Sequence, residues 1–181
     1  AKKVDEEDEF VATIVSSDKD LLQLISEDVD VKLLKQKDYI RMNREVFMNT
    51  YGLEPIKMID LKSLMGDQSD NIPGVKGIGE KTAIKLLQTY SSLDGIYQNI
   101  ENIKGATKQK LITDKDNAYM SYDIATIYRE VPIDTNLDNI KYQNELTDEL
   151  INIYNDLGFH SLLRKTTNKT TSDDKIKYNI I

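Results

Sequence analysis

Asp67 and Asp70 stand three residues apart in the run Met65-Gly66-Asp67-Gln68-Ser69-Asp70-Asn71-Ile72-Pro73-Gly74. Carboxylates so spaced suit a hard divalent cation: Mg²⁺, or Mn²⁺ in its place, takes oxygen ligands and binds through one or two carboxylates plus substrate phosphates. Directly downstream, Gly74, Gly77 and Gly79 fall at Gly-x-x-Gly-x-Gly spacing ahead of Glu80-Lys81-Thr82-Ala83, which opens an amphipathic helix. Glycines there let bare backbone N–H groups approach an anion, and the helix N-terminus adds partial positive charge. One stretch therefore offers a metal site and a phosphate site side by side. Both have a plainer reading, with the aspartates as turn residues and an N-cap and the glycines as a hinge between helices.

A second acidic pair, Asp18 and Asp20, follows the short apolar segment Phe10–Val15, which reads as a buried strand. In open α/β sheets ligands bind beyond the carboxyl ends of the strands, so these acids fall where chemistry is expected. Asp18 also suits the N-cap of the short helix begun by Leu21, Leu22, Leu24 and Ile25. Val29–Leu34 and Tyr39–Met42 read as a hairpin. Asn43 caps a helix that Gly52 closes, and Pro55 opens another that runs to Leu64, with Gly66 at its end.

Beyond the glycines the pattern is wholly helical: Lys81–Tyr90 with Ala83, Ile84, Leu86 and Leu87 inward, a second helix capped by Ser91 or Ser92, and others near 107–113, 117–127 and 147–157, the last stopped by Gly158. The scattered tyrosines and the single histidine, His160, read as packing residues. Residues 1–9 read as the end of a helix. Residues 166–174 have the polar composition of a linker, and Ile176–Ile181 looks like a first strand of something further. The expected fold is α/β but mostly helical, with 1–72 as part of an α/β core, 73–165 as a helical region and 166–181 as linker and start of another domain.

The chain has 181 residues, 39% hydrophobic and 30% charged, the composition of a soluble globular protein of about one domain. It has no apolar run near the roughly 20 residues that span a bilayer and no visible signal peptide, so a cytoplasmic location without membrane contact is expected. With no cysteine and one histidine, thiolate sites are excluded and a zinc site of the usual ligands is disfavoured. A net charge of −7 argues against nucleic acid if only the total is read. The distribution reverses that: from Asn71 to Ile112, six lysines face only Glu80, Asp94 and Glu101. Such a locally basic face suffices for modest, salt-sensitive backbone binding.

The run Gly66-Asp67-Gln68-Ser69-Asp70-Asn71-Ile72-Pro73-Gly74 followed by Val75-Lys76-Gly77-Ile78-Gly79-Glu80-Lys81-Thr82-Ala83 resembles the signature of the 5′-nuclease (5′–3′ exonuclease, flap endonuclease) domain of bacterial DNA polymerase I. The likeness runs from about Phe10 to about Leu163. It takes in Ser16-Ser17-Asp18-Lys19-Asp20-Leu21-Leu22, Tyr51-Gly52-Leu53, Ile59-Asp60-Leu61-Lys62 and Leu157-Gly158-Phe159-His160, with Ser17 a departure where the family has glycine.

The resemblance implies metal-assisted phosphodiester hydrolysis by two divalent ions about 4 Å apart, with Asp18, Asp20, Asp67 and Asp70 as this chain's share of the ligands. It implies a helix–hairpin–helix holding duplex phosphates through Gly74, Lys76, Gly77, Gly79, Lys81 and Thr82. It also implies a monovalent ion, K⁺, on the backbone carbonyls of Leu64, Met65, Pro73, Val75 and Ile78. Partners would be double-stranded, nicked or flapped DNA and the polymerase domains of a parent chain. In the family an upstream half carries further acids and basic residues that meet the scissile phosphate, so this stretch alone is expected to bind branched duplex weakly and to cut it barely. The rivals are a non-catalytic DNA-binding module, indifferent to Mg²⁺, and a phosphatase with its nucleophile in Asp18-Lys19-Asp20.

Overall fold

The central element of the computed structural model is a helix hidden on all sides. In α3, Met58–Met65, every residue from Met58 to Leu64 is buried, including Asp60, Lys62 and Ser63. A helix apolar around most of its circumference belongs inside a core, and the charged groups it carries there need partners. Residues 1–6, 10–36, 38–133, 136, 139, 141–142 and 147–167 are described, with side chains to Leu163.

The chain forms two units, Ala1–Ile133 and Asp134–Ile181. The first begins with α1, Lys2–Glu6, and a mixed three-stranded sheet. In it β1, Ala12–Ser16, lies parallel to β2, Val29–Lys35, with Ala12 opposite Val29, and β3, Asp38–Met42, runs antiparallel to β2 as the expected hairpin. The expectation that the first strand is buried is corrected. β1 alternates half-buried and exposed residues, and Val15 is 61% exposed, because among the described residues β1 pairs with β2 alone. The strand register also starts two residues later than its apolar run suggests.

After β1 the chain makes a 3-10 turn, Lys19–Leu24, whose buried Leu22 enters the core. Gln23, also buried, ties that turn to the end of a distant helix: its amide donates to the Ala125 carbonyl (2.9 Å) and accepts from the Ile127 N–H (3.0 Å). Helix α2, Arg44–Tyr51, is capped by the Asn43 side chain and ended by Gly52 in the left-handed region. A 3-10 turn at Pro55–Lys57 leads into α3.

Four helices complete the first unit: α4, Glu80–Tyr90; α5, Leu93–Gln98; α6, Gly105–Thr113; and α7, Lys115–Ala125. Ser92 caps α5, whereas Ser91 takes a left-handed conformation ending α4, so the choice left open between them resolves by division of labour. The boundary read at 72/73 falls inside this unit, where α3 packs on α4, α5 and α7 around Leu61, Leu64, Leu87, Leu93, Ile96 and Leu111. Asp60 belongs to that packing, since its carboxylate accepts the Leu93 N–H (2.7 Å) at the start of α5. Tyr97 and Tyr119 bridge helices, donating to the Leu111 carbonyl and to Asp94.

The second unit contains α8, Asp148–Asp156, capped by Thr147, and α9, His160–Thr167. His160 is exposed at the start of α9, not packed as the sequence suggested. The linker and strand read into 168–181 lie outside the described residues.

Candidate nucleic-acid and metal site

Gly66 ends α3 with φ at +70°, and the chain then folds back on itself at once. Asp67 and Ile72 exchange backbone hydrogen bonds (2.9 and 2.8 Å), closing a tight loop with Asn71 in the left-handed region. Within it the Asp67 carboxylate is pinned on both oxygens. Oδ1 accepts from the Ser69 N–H (2.9 Å) and hydroxyl (2.5 Å), and Oδ2 from the Lys62 ammonium (2.8 Å). Asp70 sits at the exposed tip of this loop.

Three of the four predicted aspartates meet here. Asp20, Asp67 and Asp70 each bring a carboxylate oxygen to within 4.8 Å of the others. Asp18 lines a 440 Å³ cavity together with Lys62, Asp67 and Asp70, but it is outside the carboxylate group, and Asp20 is outside the lining of that cavity. Its Oδ1 accepts the Asp20 N–H (2.8 Å), the N-cap that its position after the strand also allowed. That cap fixes the backbone that presents Asp20.

Lys62 is the residue that sequence reasoning missed, although it stood in a quoted motif. Its side chain is 3% exposed, and its ammonium pairs with Asp20, with Asp67, and at 3.8 Å with Asp70. Three carboxylates and one ammonium carry net charge −2, the charge that a single divalent cation neutralises. The donor set fits such an ion: three carboxylates supply hard oxygen ligands, and the Lys62 ammonium holds Asp20 Oδ1 and Asp67 Oδ2 toward one point. The signal available in the sequence was a lysine between Leu61 and Leu64 on a largely apolar helix, since a buried ammonium demands anions close by.

The Lys62 ammonium, and after it the Ser69 hydroxyl, holds the Asp67 carboxyl well below its ordinary value, at about 2. A depressed carboxylate contributes stability that is complete above the unfolded value near 4 and is lost as pH falls through the folded one. For Asp67 that contribution is roughly 2 kcal/mol. Thermal melts of the metal-free chain between about pH 4 and pH 2 should show this loss, and Asp67→Asn should flatten it.

The glycine run forms the connection between this loop and α4. Val75 N–H donates to the Leu64 carbonyl (2.8 Å) and Ile78 N–H to the Val75 carbonyl (3.0 Å). Side chains from outside the motif hold the rest: the buried Ser121 hydroxyl accepts Gly74 N–H (3.0 Å), Asp114 accepts Lys76 N–H (2.8 Å), and Lys110 donates to the Gly77 carbonyl (2.8 Å). Gly74 is therefore corrected as a phosphate donor, because its amide is turned inward. The amides of Gly77, Gly79, Glu80 and Lys81 have no partner among the described residues; those of Glu80 and Lys81 belong to the first turn of α4, where no intrahelical partner exists. The Lys76, Lys81 and Thr82 side chains are exposed around them. This is an anion-binding arrangement built from backbone and helix polarity.

Of the five predicted carbonyl positions, Met65, Pro73, Val75 and Ile78 line one 620 Å³ cavity, while Leu64 lies outside that lining and its carbonyl accepts from Val75. Among the described residues no helix is long and apolar enough to cross a membrane.

The family model described as 5′–3′ exonuclease, C-terminal SAM fold, matches residues 53–148. DNA polymerase I of Streptococcus pneumoniae is 42% identical over 174 residues, covering 94% of this chain and 20% of that protein. DNA polymerase I of Bacillus caldotenax is 39% identical over 173 residues, with the same coverage. The chain thus spans about a fifth of the length of these relatives. Among solved structures, the bacteriophage T5 5′-exonuclease with bound divalent metal ions (zinc) shares the fold at a TM-score of 0.55 and 21% identity, covering 64% of this chain and 42% of that one. A bacteriophage T5 flap endonuclease complexed with DNA and metal ions matches at 0.55 and 20%, with the same coverage. With the glycine connection, the aspartate loop and α3 through α7 all inside the matched span, the chain belongs to the 5′–3′ exonuclease C-terminal SAM-fold family.

Proposed function

We propose that this chain supplies part of the site of a metal-dependent 5′ nuclease, the 5′–3′ exonuclease and flap endonuclease function of a DNA polymerase I. The observation that carries the reading is the convergence of Asp20, Asp67 and Asp70, whose carboxylate oxygens lie within 4.8 Å of one another, a few residues from a helix terminus whose first amides have no partner among the described residues. The three carboxylates would hold a divalent ion, Mg²⁺ by its preference for hard oxygen ligands, with Asp18 at the cavity edge available to a second. Bound there, such an ion activates water and offsets charge on the leaving oxygen of a phosphodiester. The chain's own part is to fix ligand positions through the Asp67–Ile72 bridge and the Asp18 cap, and to hold the acids together through Lys62.

The amides of Gly77, Gly79, Glu80 and Lys81, with the Lys76, Lys81 and Thr82 side chains, would grip backbone phosphates of nicked or flapped duplex without reading its sequence. The Met65, Pro73, Val75 and Ile78 carbonyls suit a monovalent cation such as K⁺ beside that phosphate, with Leu64 behind them. The polymerase domains of a parent chain and a nucleoid-associated cytoplasmic location follow from the same reading.

Gly79→Val tests the phosphate grip cleanly. A Cβ at Gly79 meets nothing within 4 Å and φ is −99°, so the fold should be kept. Fluorescence anisotropy should show duplex affinity falling equally for unrelated sequences while the melting temperature stays within a few degrees. A sequence-selective loss would count against the reading.

A further inference from the structure

A second groove flanks α4 one turn beyond the glycine connection. Thr82, Lys85 and Thr89 form one stripe of the helix, at i, i+3 and i+7. Asn102, Lys104 and Thr107, before and in the first turn of α6, form the opposite wall of a cavity of 360 Å³. Buried Leu86 and Ile103 lie beneath it. No carboxylate lines this groove, in a chain whose acids outnumber its bases by 31 to 24. Nor are its two ammonium groups neutralised: Lys85 and Lys104 join no ion pair among the described residues, whereas nearby Lys108 is paired with Glu101 at 2.7 Å. The Thr89 hydroxyl donates to the Lys85 carbonyl (2.8 Å) and the Asn102 amide to Asn99, which leaves two unpaired cations with the Thr82 and Thr107 hydroxyls in one lining as donors for an oxyanion.

The position says which oxyanion. Thr82 is three residues past the Gly79 cap and Lys85 six, about 9 Å along the helix axis. A strand whose phosphate rests on the unpaired amides at that cap therefore passes within reach of the groove. We propose that the groove between α4 and the 102–107 segment is a second phosphate subsite, in which Lys85 and Lys104 take backbone phosphates of the same duplex and lengthen its footprint along α4. This rests on the phosphate grip described above.

The test is the salt dependence of duplex binding by the 181-residue chain, wild type, with Lys85→Gln and Lys104→Gln together, and with Lys108→Gln. All three lysines project from the surface of helices or turns, and unchanged melting temperatures will show that folding is kept. Each phosphate neutralised contributes about 0.9 to the slope of log affinity against log salt. The double variant should lose about 1.8 of that slope, equally for unrelated sequences, while Lys108→Gln should leave it nearly unchanged. A double variant with the wild-type slope, or a Lys108→Gln loss per lysine equal to that of the groove, would overturn the subsite while leaving the grip at Gly79 intact. Wild-type chain that binds duplex without salt dependence would overturn both.

Discussion

Asp67→Asn should weaken Mn²⁺ binding by the chain by at least the roughly 10–100-fold that follows from disturbing a metal site's supporting groups. Asp67 is the most constrained of the three converging carboxylates. One oxygen is fixed by Ser69 and the other by Lys62, and its backbone is locked to Ile72. An asparagine keeps the shape and can keep the Ser69 contacts, but it removes a full charge. The cluster then falls from net −2 to −1, with the Lys62 ammonium still in place to oppose a cation. The same substitution at exposed Asp70 should cost less binding, because Asp70 pairs with Lys62 only at 3.8 Å and stands at the loop tip. Titration calorimetry on the three chains tests the order. Equal Mn²⁺ affinity in wild type and Asp67→Asn would show that the carboxylates cap and brace the loop and do nothing more.

Gly74→Val should prevent stable folding of the first unit. Gly74 has φ at +59°, and a Cβ there would lie 2.2 Å from the Gly66 nitrogen and 2.7 Å from its Cα. These are backbone atoms with nowhere to go, because Gly66 closes α3 and is itself approached by the Ile72 and Pro73 carbonyls. The substitution adds a left-handed β-branched residue, which costs on the order of 1–3 kcal/mol, and a clash that must open the crossing. Opening it breaks the buried Gly74–Ser121 hydrogen bond and separates α3 from α7. Together these approach the 5–15 kcal/mol that holds a typical domain. The contrast with Gly79 is the informative part: two glycines of one motif, one demanded by packing and one left open. A Gly74→Val chain melting within a few degrees of wild type would show that the crossing is loose.

Asn43, Gly52, Ser92 and Gly158 act where their chemistry placed them, because caps and left-handed turns are local. The hairpin of β2 and β3 was legible for the same reason. The aspartate loop was legible as a candidate site, but not its centre, since Lys62 is joined to Asp20 only once α3 and the 3-10 turn pack together. Asp60 shows the converse: a buried acid two residues from Lys62, indistinguishable in type from the ligand candidates, is a cap for α5. The apolar run of β1 reads as a buried strand although its side chains are half-buried or exposed, because such a run reports what a strand prefers and not whether a neighbour is present to cover it. Gly74 was read as a phosphate donor because spacing shows which amides are bare, not which way they point.

The most direct test of the nuclease reading is Mg²⁺-dependent cleavage of a 5′-flapped duplex by a DNA polymerase I carrying this segment, compared with the same protein bearing Asp67→Asn. The account predicts cutting that requires Mg²⁺ and falls by at least about 10–100-fold in the variant, with duplex binding in Ca²⁺ retained. Cleavage by Asp67→Asn at the wild-type rate would contradict it.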